Sequence, residues 1–128
     1  MKPFLKMGNV TIFDDMELID KNFEMSKYLF STDNSDWKFC IQINRTMRNK
    51  GFTPSDKVSV NINFIRYGQD GQSYHSPLSH TFKNNFDIKC HLFTNTHIWV
   101  WKMFGISEEI LDIKVEILYE KLKIRGLI

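Results

Sequence analysis

Apolar and polar residues alternate strictly in two stretches of this chain, and a period of two limits what the chain can fold into. Trp37, Phe39, Ile41 and Ile43 are interleaved with Lys38, Cys40, Gln42 and Asn44. Val58, Val60, Ile62 and Phe64 are interleaved with Ser59, Asn61, Asn63 and Ile65. Successive side chains of an extended strand point to opposite faces, so each stretch predicts a strand with one buried and one polar side. Val10-Thr11-Ile12-Phe13 is a shorter strand candidate ahead of them.

Residues 86–104 read FDIKCHLFTNTHIWVWKMF, two further alternating runs around a polar Thr94-Asn95-Thr96. That pattern predicts a β-hairpin. With a three-residue turn, His91, Phe93, His97, Trp99 and Trp101 fall on one face with Lys89 beside them. Ile88, Cys90, Leu92, Ile98 and Val100 then form a core face. With a two-residue turn the register changes, Cys90 and Leu92 join Trp99 and Trp101, and the rings are core. Exposed, the aromatic set would anchor a protein partner or stack bases.

Two helices are predicted. Asp14 followed by Glu17 resembles a capping box, and Met16, Ile19, Phe23 and Phe30 recur at helical spacing. Ser31 to Asp36 then forms a polar linker. Near the end, Ser107 stands as an N-cap before Glu108 and Glu109, and Ile106, Ile110, Ile113, Ile117 and Ile124 follow a helical period up to Gly126. Leu111, Ile113, Val115, Ile117 and Tyr119 also alternate as a strand would. The cap signals and the lysine-rich last turn favour the helix. Arg45 to Gly51 reads as a basic loop, Thr53 to Asp56 as a turn, and Gln72 to Asn85 as a long loop or a poor edge strand.

The resulting order is β-α-β-β-β-β-α. Short connections favour antiparallel neighbours. The expectation is an α+β fold, an antiparallel sheet of four to five strands with two helices packed on one face and the other face open. At 128 residues this is one domain, 1–128, large enough to bury a core without staples.

Composition bounds the function. Cys40 and Cys90 are the only cysteines and sit in apolar runs without a CxxC, which points to reduced thiols and a cytoplasmic location. Lys6 and Asn9 interrupt the N-terminal apolar residues, so no signal peptide is read there, and no apolar run is long enough for a membrane span. Alanine is absent while Ile, Lys, Phe and Asn abound, the mark of an AT-rich genome, whether of a virus or phage, a low-GC bacterium or an AT-rich parasite. Charge is uneven: residues 1–36 carry net −3, residues 37–104 net +6 and residues 105–128 net −1. The middle of the chain is a basic block.

No catalytic motif stands out. The residues two places after His75, His80, His91 and His97 are Pro77, Phe82, Phe93 and Trp99, which excludes a pair of His-x-Ser/Thr motifs. Adjacent Cys90 and His91 point to opposite faces of a strand, so no metal or cofactor is expected. Gly68-Gln69-Asp70-Gly71 lacks the lysine of a phosphate loop.

The composition and motifs therefore predict a small intracellular, non-enzymatic binding protein. It would act as a phage or viral accessory protein, an inhibitor of a host factor, by protein–protein contact. The partner-binding candidates are Trp99, Trp101, His97, Phe93, His91 and Lys89. The alternative is a nucleic-acid-binding domain in which Arg45, Arg48, Lys50 and Arg66 contact phosphates. A second alternative is a histidine-dependent nuclease or hydrolase built on His75, His80 and His91.

Overall fold

The computed structural model of the protein describes residues 1–47, 54–67, 73–75, 78–83, 88–92 and 99–128. An N-terminal hairpin pairs β1 (Pro3–Met7) with β2 (Val10–Phe13) across Gly8 and Asn9. The main sheet contains β3 (Glu17–Lys21), β4 (Met25–Ser31), β5 (Lys38–Met47), β6 (Pro54–Tyr67), β7 (Ser73–His75), β8 (Leu78–Lys83) and β9 (Ile88–Leu92). Its order is β3-β4-β5-β6-β8-β9, with β7 on the far end of β6, and every pairing is antiparallel. Two helices follow, α1 (Trp99–Met103) and α2 (Glu108–Ile124). This is the α+β fold with an antiparallel sheet that the alternation predicts.

The core forms between one sheet face and what covers it. Register places Tyr28 opposite Ile41 and Phe30 opposite Phe39, then Phe39 opposite Phe64, Ile41 opposite Ile62 and Ile43 opposite Val60. All of these are buried. They join Phe4, Leu5, Met7, Val10 and Ile12 of the hairpin, Val100, Trp101 and Phe104 of the α1 region, and Leu111, Val115, Leu118 and Leu122 of α2. The rings interlock: Phe64 meets Phe39 at 5.4 Å, Trp101 at 5.2 Å and Phe104 at 4.7 Å between centroids. Tilted and edge-on pairs of this kind each add roughly 0.5–1.5 kcal/mol beyond the area they bury.

Three expectations are corrected. Residues 14–30 form no helix. They form β3 and β4, because Asn22 builds a turn: its side-chain oxygen accepts from the Glu24 N–H at 2.8 Å, and its own N–H donates to the Met25 carbonyl at 2.8 Å. The helically spaced stripe is coincidental, since Phe30 is buried while Ile19 and Phe23 are exposed.

The second arm of the expected hairpin over 86–104 is a helix, α1. Gly105 ends it at φ 68, with Gly105 N–H bonded to the Lys102 carbonyl and Ile106 N–H to the Trp101 carbonyl at 2.8 Å. That is a Schellman cap. The first arm stands as β9, while turn 94–96 lies outside the described residues. Finally, Arg45 to Met47 continues β5 and Pro54 to Asp56 begins β6, so the described parts of the expected loop and turn are strand. Strand β1 was not anticipated, and Ser73–His75 and Leu78–Lys83 add β7 and β8 where a loop or edge strand was expected.

The last helix forms as predicted. Ser107 Oγ accepts from the Ile110 N–H at 3.3 Å, and Gly126 takes φ 71 after the C-cap. Gly126 N–H bonds the Lys123 carbonyl and Leu127 N–H the Leu122 carbonyl, the same cap that ends α1. An ion pair of 2.7 Å between Arg125 and Asp14 ties the end of α2 to the N-terminal hairpin, and the Arg125 guanidinium lies 4.8 Å from the Phe4 ring centroid. That partner holds the Asp14 carboxyl below its ordinary value.

Candidate functional site

Both helices belong to the cluster on one side of the sheet. The alternate residues of the same strands therefore make up a second face, over which no described helix packs. Two cross-strand rows define it. Asp20, Lys27, Gln42, Asn61, Ser79 and His91 stand opposite one another in succession from β3 to β9. Met25, Asn44, Ser59, Thr81 and Lys89 form the next row. At the other end of β4 to β6, Leu29, Cys40 and Asn63 form a third row, followed by Ser31, Lys38 and Ile65.

The chemistry of this face is amide and cation. Gln42, Asn44, Asn61 and Asn63 are half-buried at its centre, and Gln42 Nε2 donates to Asn44 Oδ1 at 3.0 Å along one strand. A primary amide both donates and accepts hydrogen bonds and carries no charge. Lys27 and Lys38 stand among these rows, with Glu17 and Asp20 confined to the edge strand β3.

Cys40 marks the dry end of the face. It is 1% exposed although it stands outside the core cluster, and burial pushes its thiol up to about 11. A thiol so raised stays protonated at neutral pH and is a poor nucleophile. At the margin, Asp15 Oδ1 accepts from the Ser31 N–H at 2.8 Å. Burial alone would raise the Asp15 carboxyl, but the Ser31 hydrogen bonds outweigh it and hold the group below its ordinary value.

The structure does not gather the residues picked from sequence. Trp101 is core, at 1% exposure, because α1 turns its ring onto Phe64 and not toward solvent. It is removed from the contact set. Trp99 is the first residue of α1. Lys89 and His91 lie on β9 in the rows of Ser59 and Asn61. Phe93 and His97 lie outside the described residues, as do Arg48 and Lys50. Arg45 stands in β5 opposite Val58. Arg66 belongs to the covered side of β6, with its guanidinium 5.1 Å from the Trp37 ring centroid, so it is no part of the basic, helix-free face.

The histidines divide as well. Register puts His80 in the row of Val60 and Cys90, and His91 in the row of Asn61, on opposite faces. Among the described residues no group of three or more His, Cys, Asp or Glu side chains is placed to hold a metal ion. No described helix is long and apolar enough to cross a membrane.

What the sequence reading missed was the amide set itself. Its signal lay in the polar positions of the two clean strands, which were read only as the solvent side. Comparison with protein-family models, with curated proteins and with solved structures found no match for this chain.

Proposed function

We propose that this chain is a small intracellular, non-enzymatic binding protein that docks another protein through the helix-free face of its sheet. The amide rows centred on Gln42, Asn44, Asn61 and Asn63 carry this reading. They form a wide, hydrogen-bonding surface whose reverse side is fully used for the core. The lysines among the rows favour a partner patch that is acidic and rich in backbone or side-chain hydrogen-bonding groups. A role as phage or viral accessory inhibitor of a host factor belongs to the same reading and rests on composition.

The protonated Cys40 and the divided histidines support a binding role over a catalytic one. A second reading, nucleic-acid binding, draws on Lys27, Lys38 and the register positions of Lys57, Lys83 and Lys89. One ring of its expected stacking set, Trp101, is in the core, and bases held without sequence preference need aromatic faces as well as cations.

The test is capture of partners by the purified protein and by a Gln42→Arg/Asn61→Arg double variant, with melting temperature as the control for folding. The reading expects one or a few proteins to be retained by the natural chain and lost by a variant that melts normally. An identical retained set would refute the face as the site. Short single- and double-stranded nucleic acids at low and physiological salt test the second reading. Micromolar binding that weakens steeply with salt would move it to first place.

A further inference from the structure

Helix α2 is apolar on two sides. Its inner side, Leu111, Val115, Leu118 and Leu122, is buried in the core. On the outer side Ile113 is 61% exposed, Ile117 38% and Ile124 83%, with Ile110 half-buried. The separations 110–113–117–124 are three, four and seven residues, the spacing of a coiled-coil seam. Ile110, Ile117 and Ile124 then take the a positions and Ile113 a d position, while Glu120 holds the second d position.

The flanks of this seam carry opposite charges. Glu109, Glu116 and Lys123 occupy the g positions on one side, and Lys114 and Lys121 the e positions on the other. In a parallel pair of identical helices each g residue faces the e residue five places on in the second helix. Glu109 would meet Lys114 of the second copy, Glu116 would meet its Lys121, and the symmetry repeats both pairs. In an antiparallel pair g faces g and e faces e, which sets Glu116 against glutamate and Lys114 against lysine, with only Glu109 able to meet Lys123.

We propose that the outer face of α2 docks a second copy of this chain as a parallel helix pair about a twofold axis. Charge complementarity of the flanks identifies the occupant, because only the parallel orientation sets both Glu109 and Glu116 against lysines of its own sequence. The seam lies on the far side of α2 from the sheet. Two copies joined there keep both helix-free sheet faces available, so the dimer would present its binding surface twice. Lys121 already lies over the Phe4 ring at 5.4 Å, so Glu109 with Lys114 forms the stronger of the two pairs. A seam of this length sits at the small end of specific interfaces, and the association is concentration-dependent rather than obligate.

Sedimentation equilibrium of the full chain over a concentration series tests the proposal, with the mass expected to move from one chain to two. Ile113→Glu places a charge in the seam at an exposed site. It should weaken dimerisation by roughly tenfold or more and leave the melting temperature of the monomer unchanged. Lys114→Glu alone should weaken it less, and Glu109→Lys/Lys114→Glu in one chain should restore it, because reversed charges still complement each other in the parallel pair. A monomer at every concentration would overturn the proposal. So would a dimer indifferent to Ile113→Glu, or one lost in Lys114→Glu and not regained in the double reversal.

Discussion

Strands β5 and β6 carry two chemistries back to back. On one side Phe39, Ile41, Ile43, Val60, Ile62 and Phe64 are buried under two helices and a hairpin. On the other, Gln42, Asn44, Asn61 and Asn63 stand half-exposed in adjoining rows, with Gln42 opposite Asn61. The same backbone hydrogen bonds serve both sides, so the contrast comes from side chains alone. Stability resides in the covered side, where apolar area leaves water and rings interlock.

The largest test of that contrast is Phe64→Ala. Phe64 touches Phe39, Trp101 and Phe104, so its loss opens a cavity where sheet and helix meet. The expected cost is about 3–5 kcal/mol, a large share of the stability of a domain this size, read from urea unfolding. A cost below about 1 kcal/mol would mean that the covered side is not the core.

The cover itself depends on Gly8. It holds φ 59, and a Cβ there would stand 2.1 Å from the Phe104 carbonyl oxygen. The next residue uses that same oxygen, since Asn9 N–H donates to it at 2.8 Å. Gly8→Ala should therefore push the N-terminal hairpin off the end of α1, at a cost of roughly 1–3 kcal/mol from left-handed backbone strain and displacement. Thermal unfolding measures it. An unchanged melting temperature would show that hairpin and helix do not pack as one cover.

These elements differ in how openly the sequence announces them. Strands β5 and β6 were legible because strict alternation over eight residues has no helical equivalent. The N-cap of α2 was legible from Ser107, whose hydroxyl makes the bond expected of it. Of the isoleucines that set its period, Ile106 lines the core while Ile113, Ile117 and Ile124 are exposed. With two apolar sides the helix also produced the strand-like alternation of Leu111 to Tyr119.

Segment 17–31 misled because its helical spacing competes with long-range pairing, and the pairing of Tyr28 and Phe30 with β5 prevails. The turn at Asn22 and the glycine at 105, which resembles Gly126, were local signals available for reading. The candidate site was half legible. Its polar positions were identified, but whether Trp101 faced the core depended on a helix that alternation concealed.

The smallest effect tests where the two sides cease to differ. Cys40 stands in the row of Leu29 and Asn63, on the amide side by register, yet it is as buried as the core. Its thiol is pushed from 9.0 to about 11, so the folded state holds the proton more tightly than the unfolded chain does. Stability is then unaffected near neutrality and falls only as pH rises from about 9 through about 11, where the unfolded chain gains by releasing the proton. In a Cys90→Ser background, alkylation of Cys40 at pH 8 should be far slower than in denaturant and should accelerate with denaturant in step with unfolding. Rapid alkylation of the folded protein would open this end of the face to solvent. The helix-free surface would then extend from Asn44 past Cys40 to Ile65, and the docking face would gain an apolar margin beside its amides.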